Sequence, residues 1–176
     1  TKGQLLEFAQ IAINEEPKDM GSGGTTGDWV SMKNYDRLAF VVIRAAPTST
    51  GDKMKITIQQ AKDTTGTSVK GLNVKKVWSK TDTGKLRATA QWTESTGTLG
   101  GTGTTGSTFA GVATKKSAIY VFDIGSEELD VDNGFDFVRL NIADPGATGA
   151  GKGVSFTIPY NAKAPNKPAN IPGVIG

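Results

Sequence analysis

Two runs rich in aromatic and β-branched residues, joined by an acidic connection, predict the centre of the fold between Ala118 and Ile142. In Ala118-Ile119-Tyr120-Val121-Phe122-Asp123-Ile124, strand alternation puts Ile119, Val121 and Asp123 on one face and Tyr120, Phe122 and Ile124 on the other. A strand apolar on both faces is central in its sheet or held between two layers. The second run, Phe135 to Ile142, sets Phe135, Phe137 and Leu140 among Asp136, Arg139 and Asn141, close to alternation with one slip at Val138. The connection Gly125 to Gly134 reads as a charged corner, with Asn133-Gly134 as a tight turn.

Further strands follow from the same patterning. Arg37 to Ala45 is almost continuously apolar and predicts a buried central strand. Lys53 to Ala61 alternates with period two, as a half-exposed strand does. Asp28 to Met32, Val69 to Trp78, Leu86 to Trp92 and Gly153 to Tyr160 complete a set of about eight strands separated by turn residues, among them Asp63-Thr64-Thr65-Gly66-Thr67 and Thr81-Asp82-Thr83-Gly84. Residues 3–14 fit either a helical face of Leu5, Phe8, Ala9 and Ala12 or an extended arm, which Glu15-Glu16-Pro17 then ends. Glu94 to Gly111 is nearly pure Gly, Thr and Ser, and reads as a surface loop. The expected architecture is all-β, a single β-sandwich or jelly-roll-like domain over residues 27–160. An N-terminal arm with a Gly-rich connector (1–26) and a Pro-rich tail (161–176) flank it.

Composition narrows the chemistry. Among 176 residues there is no Cys and no His, which excludes thiolate zinc sites, Cys nucleophiles and Ser-His-Asp catalysis. Gly, at 23 residues, runs at nearly twice its usual share of about 7% and favours a turn-rich β protein over a helical one. The longest apolar run, Leu38 to Ile43, falls far short of the ~20 residues that cross a bilayer. Glu7 and Gln10 interrupt the N-terminal apolar stretch, so no signal peptide is expected and synthesis in the cytoplasm is. The net charge of +3 is uneven, basic between Lys62 and Arg87 and acidic between Ile119 and Asp144. Such polarity is satisfied within one fold or between neighbouring copies.

Candidate sites are few. Glu127, Glu128, Asp130, Asp132 and Asp136 supply oxygens of the kind calcium takes, but an EF-hand counted from Asp130 would need Gly at Phe135 and Glu at Asn141. A carboxylate pair for glycoside hydrolysis is the corresponding catalytic option. Trp29, Trp78, Trp92 and Tyr160 suggest a sugar platform, although aromatics on strands more often serve cores or interfaces. Lys75-Lys76-Val77-Trp78 with Lys80 is the only hint of nucleic-acid binding, and the glycines at 94–111 match no phosphate-cradling motif. No catalytic residue, metal, cofactor, nucleic acid or membrane partner is therefore expected.

Gly27-Asp28-Trp29-Val30-Ser31-Met32-Lys33-Asn34-Tyr35-Asp36, followed by Ile56-Thr57-Ile58-Gln59-Gln60-Ala61 and later by Glu128 to Leu140, resembles a family of small proteins of tailed bacteriophages. These are encoded in the head-gene region near the major capsid protein, and the resemblance covers about Gly27 to Ile142. It implies a virion protein of the capsid surface, a decoration or cement protein that clamps adjacent major capsid subunits and meets neighbouring copies of itself, a trimer being one option. The Pro-rich tail and the long Gly/Thr stretch depart from that pattern. The expected interface residues are Leu5, Phe8 and Ile11 in the arm, Asp130 and Asp132 in the corner, and Pro165, Pro168 and Ile171 in the tail. The alternative is a tail or head-fibre component adhering to host glycans.

Overall fold

A computed structural model describes residues 5–20, 23–48, 54–82, 90–96, 108–111, 115–144 and 151–163. Among them a one-turn helix at Leu5–Phe8 (α1) precedes twelve strands. Four strands are long: Ala12–Asp19 (β1), Tyr35–Arg44 (β4), Ser117–Gly125 (β10) and Lys152–Ala162 (β12). Lys55–Ala61 (β5), Lys76–Asp82 (β7) and Phe137–Ala143 (β11) are of medium length. Thr25–Thr26 (β2), Val30–Ser31 (β3), Lys70–Gly71 (β6), Thr93–Thr96 (β8) and Thr108–Ala110 (β9) are short pieces.

The strands form two antiparallel sheets, so the chain is an all-β sandwich. The larger sheet runs β1-β12-β4-β10-β7-β8. The smaller has β11 and β5 at its centre. β2 and β3 lie one after the other along the free edge of β11, and β6 and β9 share the outer edge of β5. The core between the sheets is supplied by alternate residues: Leu38, Phe40 and Val42 from β4, Tyr120, Phe122 and Ile124 from β10, Ile56 and Ile58 from β5, and Val138, Leu140 and Ile142 from β11. Phe109 of β9 closes one side, edge-on to Tyr120 at 5.1 Å and to Phe122 at 5.5 Å.

The two runs around the acidic corner are both central, but in opposite sheets. β10 lies between β4 and β7, β11 between the β2/β3 edge and β5, and the corner carries the chain from one layer to the other. It does so in two 3₁₀ turns, Ser126–Glu128 and Val131–Asn133, separated by buried Leu129. Gly134 ends the second at φ 81°, a left-handed conformation that glycine takes without the steric penalty of a Cβ. The slip in alternation falls between Phe135, buried in the corner, and Phe137, which faces outward under Lys33 at 5.5 Å. Val138 is fully in register with the core.

Several boundaries differ from the sequence reading. Residues 5–19 adopt both options considered, one helical turn and then a strand. Pro17 does not end that strand, because β1 is an edge strand of the larger sheet and needs no amide donor on its open side. Register shifts between Ile13 and Lys18 absorb the irregularity. β1 and β2 thus belong to the sandwich, paired with β12 and β11 respectively. Val69 to Trp78 is split between the two sheets as β6 and β7, and β7 continues through Thr81 and Asp82. The strand expected at 86–92 lies partly outside the described residues, and the strand found there begins at Thr93. β8 and β9 fall at the two ends of the expected loop 94–111. The turn at Asp63 is as expected: its Oδ1 accepts from the amides of Thr65 (3.0 Å) and Thr67 (2.9 Å), and the Thr67 side chain, then the Thr67 amide and the Thr65 hydroxyl, hold its carboxyl well below the usual range.

Candidate functional site

Alternation buries one face of the larger sheet and turns a second set outward that is apolar in its middle and charged at its margins, where Lys80 opposes Ile119 and Asp123 opposes Ala39. Register fixes which residues stand side by side. Ile13 of β1 opposes Phe156 of β12, Phe156 opposes Val41 of β4, Val41 opposes Val121 of β10, and Val121 opposes Trp78 of β7. At the usual spacing between strands this row is about 19 Å wide. A second row joins Val154, Ile43 and Ile119, and a third joins Ile158 to Ala39. Ile13 is 53% exposed, and the others in the three rows are mostly covered but keep part of their surface open to solvent. Nothing in β-sheet geometry requires an outer face to be apolar, and antiparallel sheets usually present polar residues to water. Contiguous apolar surface of this kind marks contact sites on soluble domains.

The face is bounded by a polar clasp at one end and an aromatic groove at the other. At one, Arg37 of β4 grips Asp123 of β10 with two donors, Nη2 to Oδ2 at 2.9 Å and Nε to Oδ1 at 3.2 Å. Tyr160 of β12 donates to the same Oδ1 at 2.6 Å and accepts from Arg37 Nε at 2.9 Å. Hydrogen bonds to Asp123 and then Tyr160 raise the guanidinium pKa further above its already high value. This clasp ties three neighbouring strands together at that end of the face. At the other end Trp78 and Trp92, with Val121, line an open groove of about 300 Å³. Trp92 is 49% exposed. Lys76 sits 5.5 Å from the Trp78 ring and 3.0 Å from Glu94, and Lys80 sits 5.9 Å from the Trp92 ring.

The expected aromatic platform is thus divided. Trp78 and Trp92 come together, Tyr160 belongs to the clasp, and Trp29 is buried just before β3 with the Arg139 guanidinium of β11 4.3 Å from its ring centroid.

The acidic corner is largely engaged within its own chain. Asp130 pairs with Lys70, accepts from Asn133 Nδ2 at 2.8 Å, and its amide donates to Gln60 Oε1 at 2.9 Å. The hydrogen bond from Lys70, then that from Asn133, lowers its carboxyl pKa. Lys70 also lies 4.1 Å over the Phe135 ring. The basic segment expected to meet the corner does so here in cis, through Lys70. Asp132 is exposed on the 3₁₀ turn. Among the described residues no three acidic side chains converge as a metal site would require.

Of the expected interface residues, Leu5 (63% exposed) and Ile11 (47%) lie beside β12, near the edge that β1 forms. Phe8 closes α1. Pro165, Pro168 and Ile171 lie outside the described residues. The outer rows on β4, β10 and β12 were not singled out, although the two-faced apolar pattern of β10 was their signal. Among the described residues no helix is long and apolar enough to cross a membrane.

Glu128 offers a test of the corner's packing. Its Oε2 is buried without a hydrogen-bond partner, and burial raises its carboxyl pKa against the smaller opposing pull of Lys75. A carboxylate whose pKa is raised by folding destabilises the native state above that value, and the penalty vanishes below the unfolded value near 4.3. Glu128→Gln is therefore expected to stabilise the chain at pH 7 by up to about 1 kcal/mol, reduced by the group's partial exposure. Urea titrations at pH 7 and pH 3.5 check this. A gain of the same size at both pH values would exclude the charge as its cause.

No family model matches the sequence, and no curated protein or solved structure matches it.

Proposed function

We propose that this chain is a non-catalytic structural protein of a tailed-bacteriophage virion, binding the outside of the capsid lattice and clamping adjacent major capsid subunits. The observation that carries the reading is the apolar outer face of the larger sheet, bordered by exposed Leu5, Leu6, Ile11 and Ile13. A sheet face of this width suits a broad protein surface. The edge strand β1 adds main-chain donors and acceptors that a neighbour's strand or arm can pair with. Repeated over a lattice, modest contacts of this kind sum to high avidity. Binding the assembled shell in preference to free subunits stabilises the shell by mass action. The resemblance in residues 27–142 to phage head-region proteins supports the same reading, with the capsid surface as location and the major capsid protein and further copies of this chain as partners.

Host-glycan adhesion is the second reading, favoured by the Trp78–Trp92 pair. Its weakness is the groove's lining. Sugar sites combine a stacking ring with polar groups aimed at hydroxyls, and among the described residues the groove's lining, Trp78, Trp92 and Val121, supplies almost none.

Co-sedimentation with bare capsids assembled from the major capsid protein of the same genome tests the proposal. Saturable binding and a rise in capsid melting temperature are expected. Absence of binding, together with absence of the chain from purified particles, would overturn it.

A further inference from the structure

We propose that the groove between Trp78 and Trp92 binds the proline-rich stretch 164–176 of a second copy of this chain. The groove is open, aromatic and apolar, with Val121 as its floor. Grooves walled by aromatic rings are the common receptor for polyproline-type segments, which are already extended and lose little entropy on docking. The chain supplies such a segment. Residues 164–176 read Ala-Pro-Asn-Lys-Pro-Ala-Asn-Ile-Pro-Gly-Val-Ile-Gly, with Pro165, Pro168 and Pro172 spaced among Ile171, Val174 and Ile175 and no acidic residue. Nothing else in the sequence concentrates proline in this way, four of the seven prolines falling between Pro159 and Pro172.

Geometry favours a second copy over the same chain. β12 delivers the segment at the far end of the sheet, where Ala162 pairs with Tyr35 and the amide of Lys163 donates to Asn34 O at 3.0 Å. Trp78 stands in the row of Phe156, six residues back along β12 and three strands across. Those offsets are about 20 Å and about 14 Å, placing the groove roughly 24 Å behind the exit point. Reaching it in the same chain requires an immediate reversal. The sequence after Lys163 offers Pro165 and Pro168, each of which disfavours the helical conformation at the residue before it, rather than a turn signal for that reversal. Donor segment and acceptor groove are different parts of the chain, so each contact is heterologous and builds a closed ring or an open array. The inference does not depend on the capsid reading, because self-association is measured without capsids.

The test uses full-length chains in sedimentation velocity and tryptophan fluorescence across concentration. The wild type is expected to self-associate as concentration rises, with a blue shift in emission as Trp92 loses water. Trp92→Ala and the triple change Pro165→Ala, Pro168→Ala, Pro172→Ala should each weaken association roughly tenfold or more. Trp92 is half-exposed, so its replacement leaves the core intact. Mixing the two variants should restore pairwise association, since one contributes segments and the other grooves. Failure of the mixture to associate, association indifferent to both changes, or a monomeric wild type would each overturn the proposal. So would a blue shift that does not depend on concentration, which is the sign of docking within one chain.

Discussion

Phe40→Ala is expected to destabilise the chain by about 3–5 kcal/mol, the range for removing a fully buried phenylalanine. Phe40 has no solvent exposure and sits in the middle strand of the larger sheet, opposite Phe122 of β10 on one side and Thr157 of β12 on the other. Its ring fills the space between the two layers, and both neighbouring strands are pinned by long ladders that cannot close over the gap. The loss is a large part of the roughly 5–15 kcal/mol that holds a domain of this size together. Melting temperature should fall by roughly 10 °C. In urea the midpoint should drop while the slope stays unchanged, since the same surface is exposed on unfolding. A loss below about 1 kcal/mol would mean that the two sheets do not share the core described.

Val121→Lys is expected to do the opposite: fold normally and abolish contact. Val121 is the neighbour of Phe40's partner Phe122, yet it points the other way, into the outer row with Val41 and Trp78. A lysine there can lay its methylenes along the sheet and raise its ammonium into water, so stability should change by less than about 1 kcal/mol. Under a docked partner the same ammonium is buried without a counter-charge. Truncations at interface centres cost about 2–4 kcal/mol, and an unpaired charge costs at least as much, so affinity should fall by roughly 30-fold to 1,000-fold. Lysine at Val131, 50% exposed on the corner and away from this face, is the control and should bind as the wild type does. Equal binding by the wild type and the Val121 variant would remove the outer face from the mechanism.

This contrast also shows where the sequence was legible. Alternation in Lys55–Ala61 and the long apolar run at 37–45 directly encode a half-buried and a central strand, because side-chain period and burial are local properties. The two-faced pattern of β10 is equally legible as a central strand. What local pattern does not encode is the partner of each strand. That β10 and β11 separate into opposite sheets depends on the 3₁₀ corner, where the Asp130 amide donates to Gln60 Oε1 and the Asp130 carboxylate pairs with Lys70, contacts that join residues far apart in the chain. Pro17 misled for a related reason, since proline ends a strand only where its missing donor faces a partner, and β1 is an edge. Phe109 was hidden by its setting of Gly, Thr and Ser, although one aromatic among small polar residues is what a strand that anchors to a core needs. The site followed the same rule. Each outer apolar residue was visible alone, but their assembly into rows needed the register across five strands.

The central claim, a sandwich that grips protein with the apolar face of its larger sheet, is tested most directly by electron cryo-microscopy of bare capsids mixed with the purified chain. The account predicts ordered density over the shell, with Val41, Val121 and Phe156 turned toward capsid protein or a neighbouring copy. Density that leaves this face open to solvent, with contact made elsewhere, would contradict it.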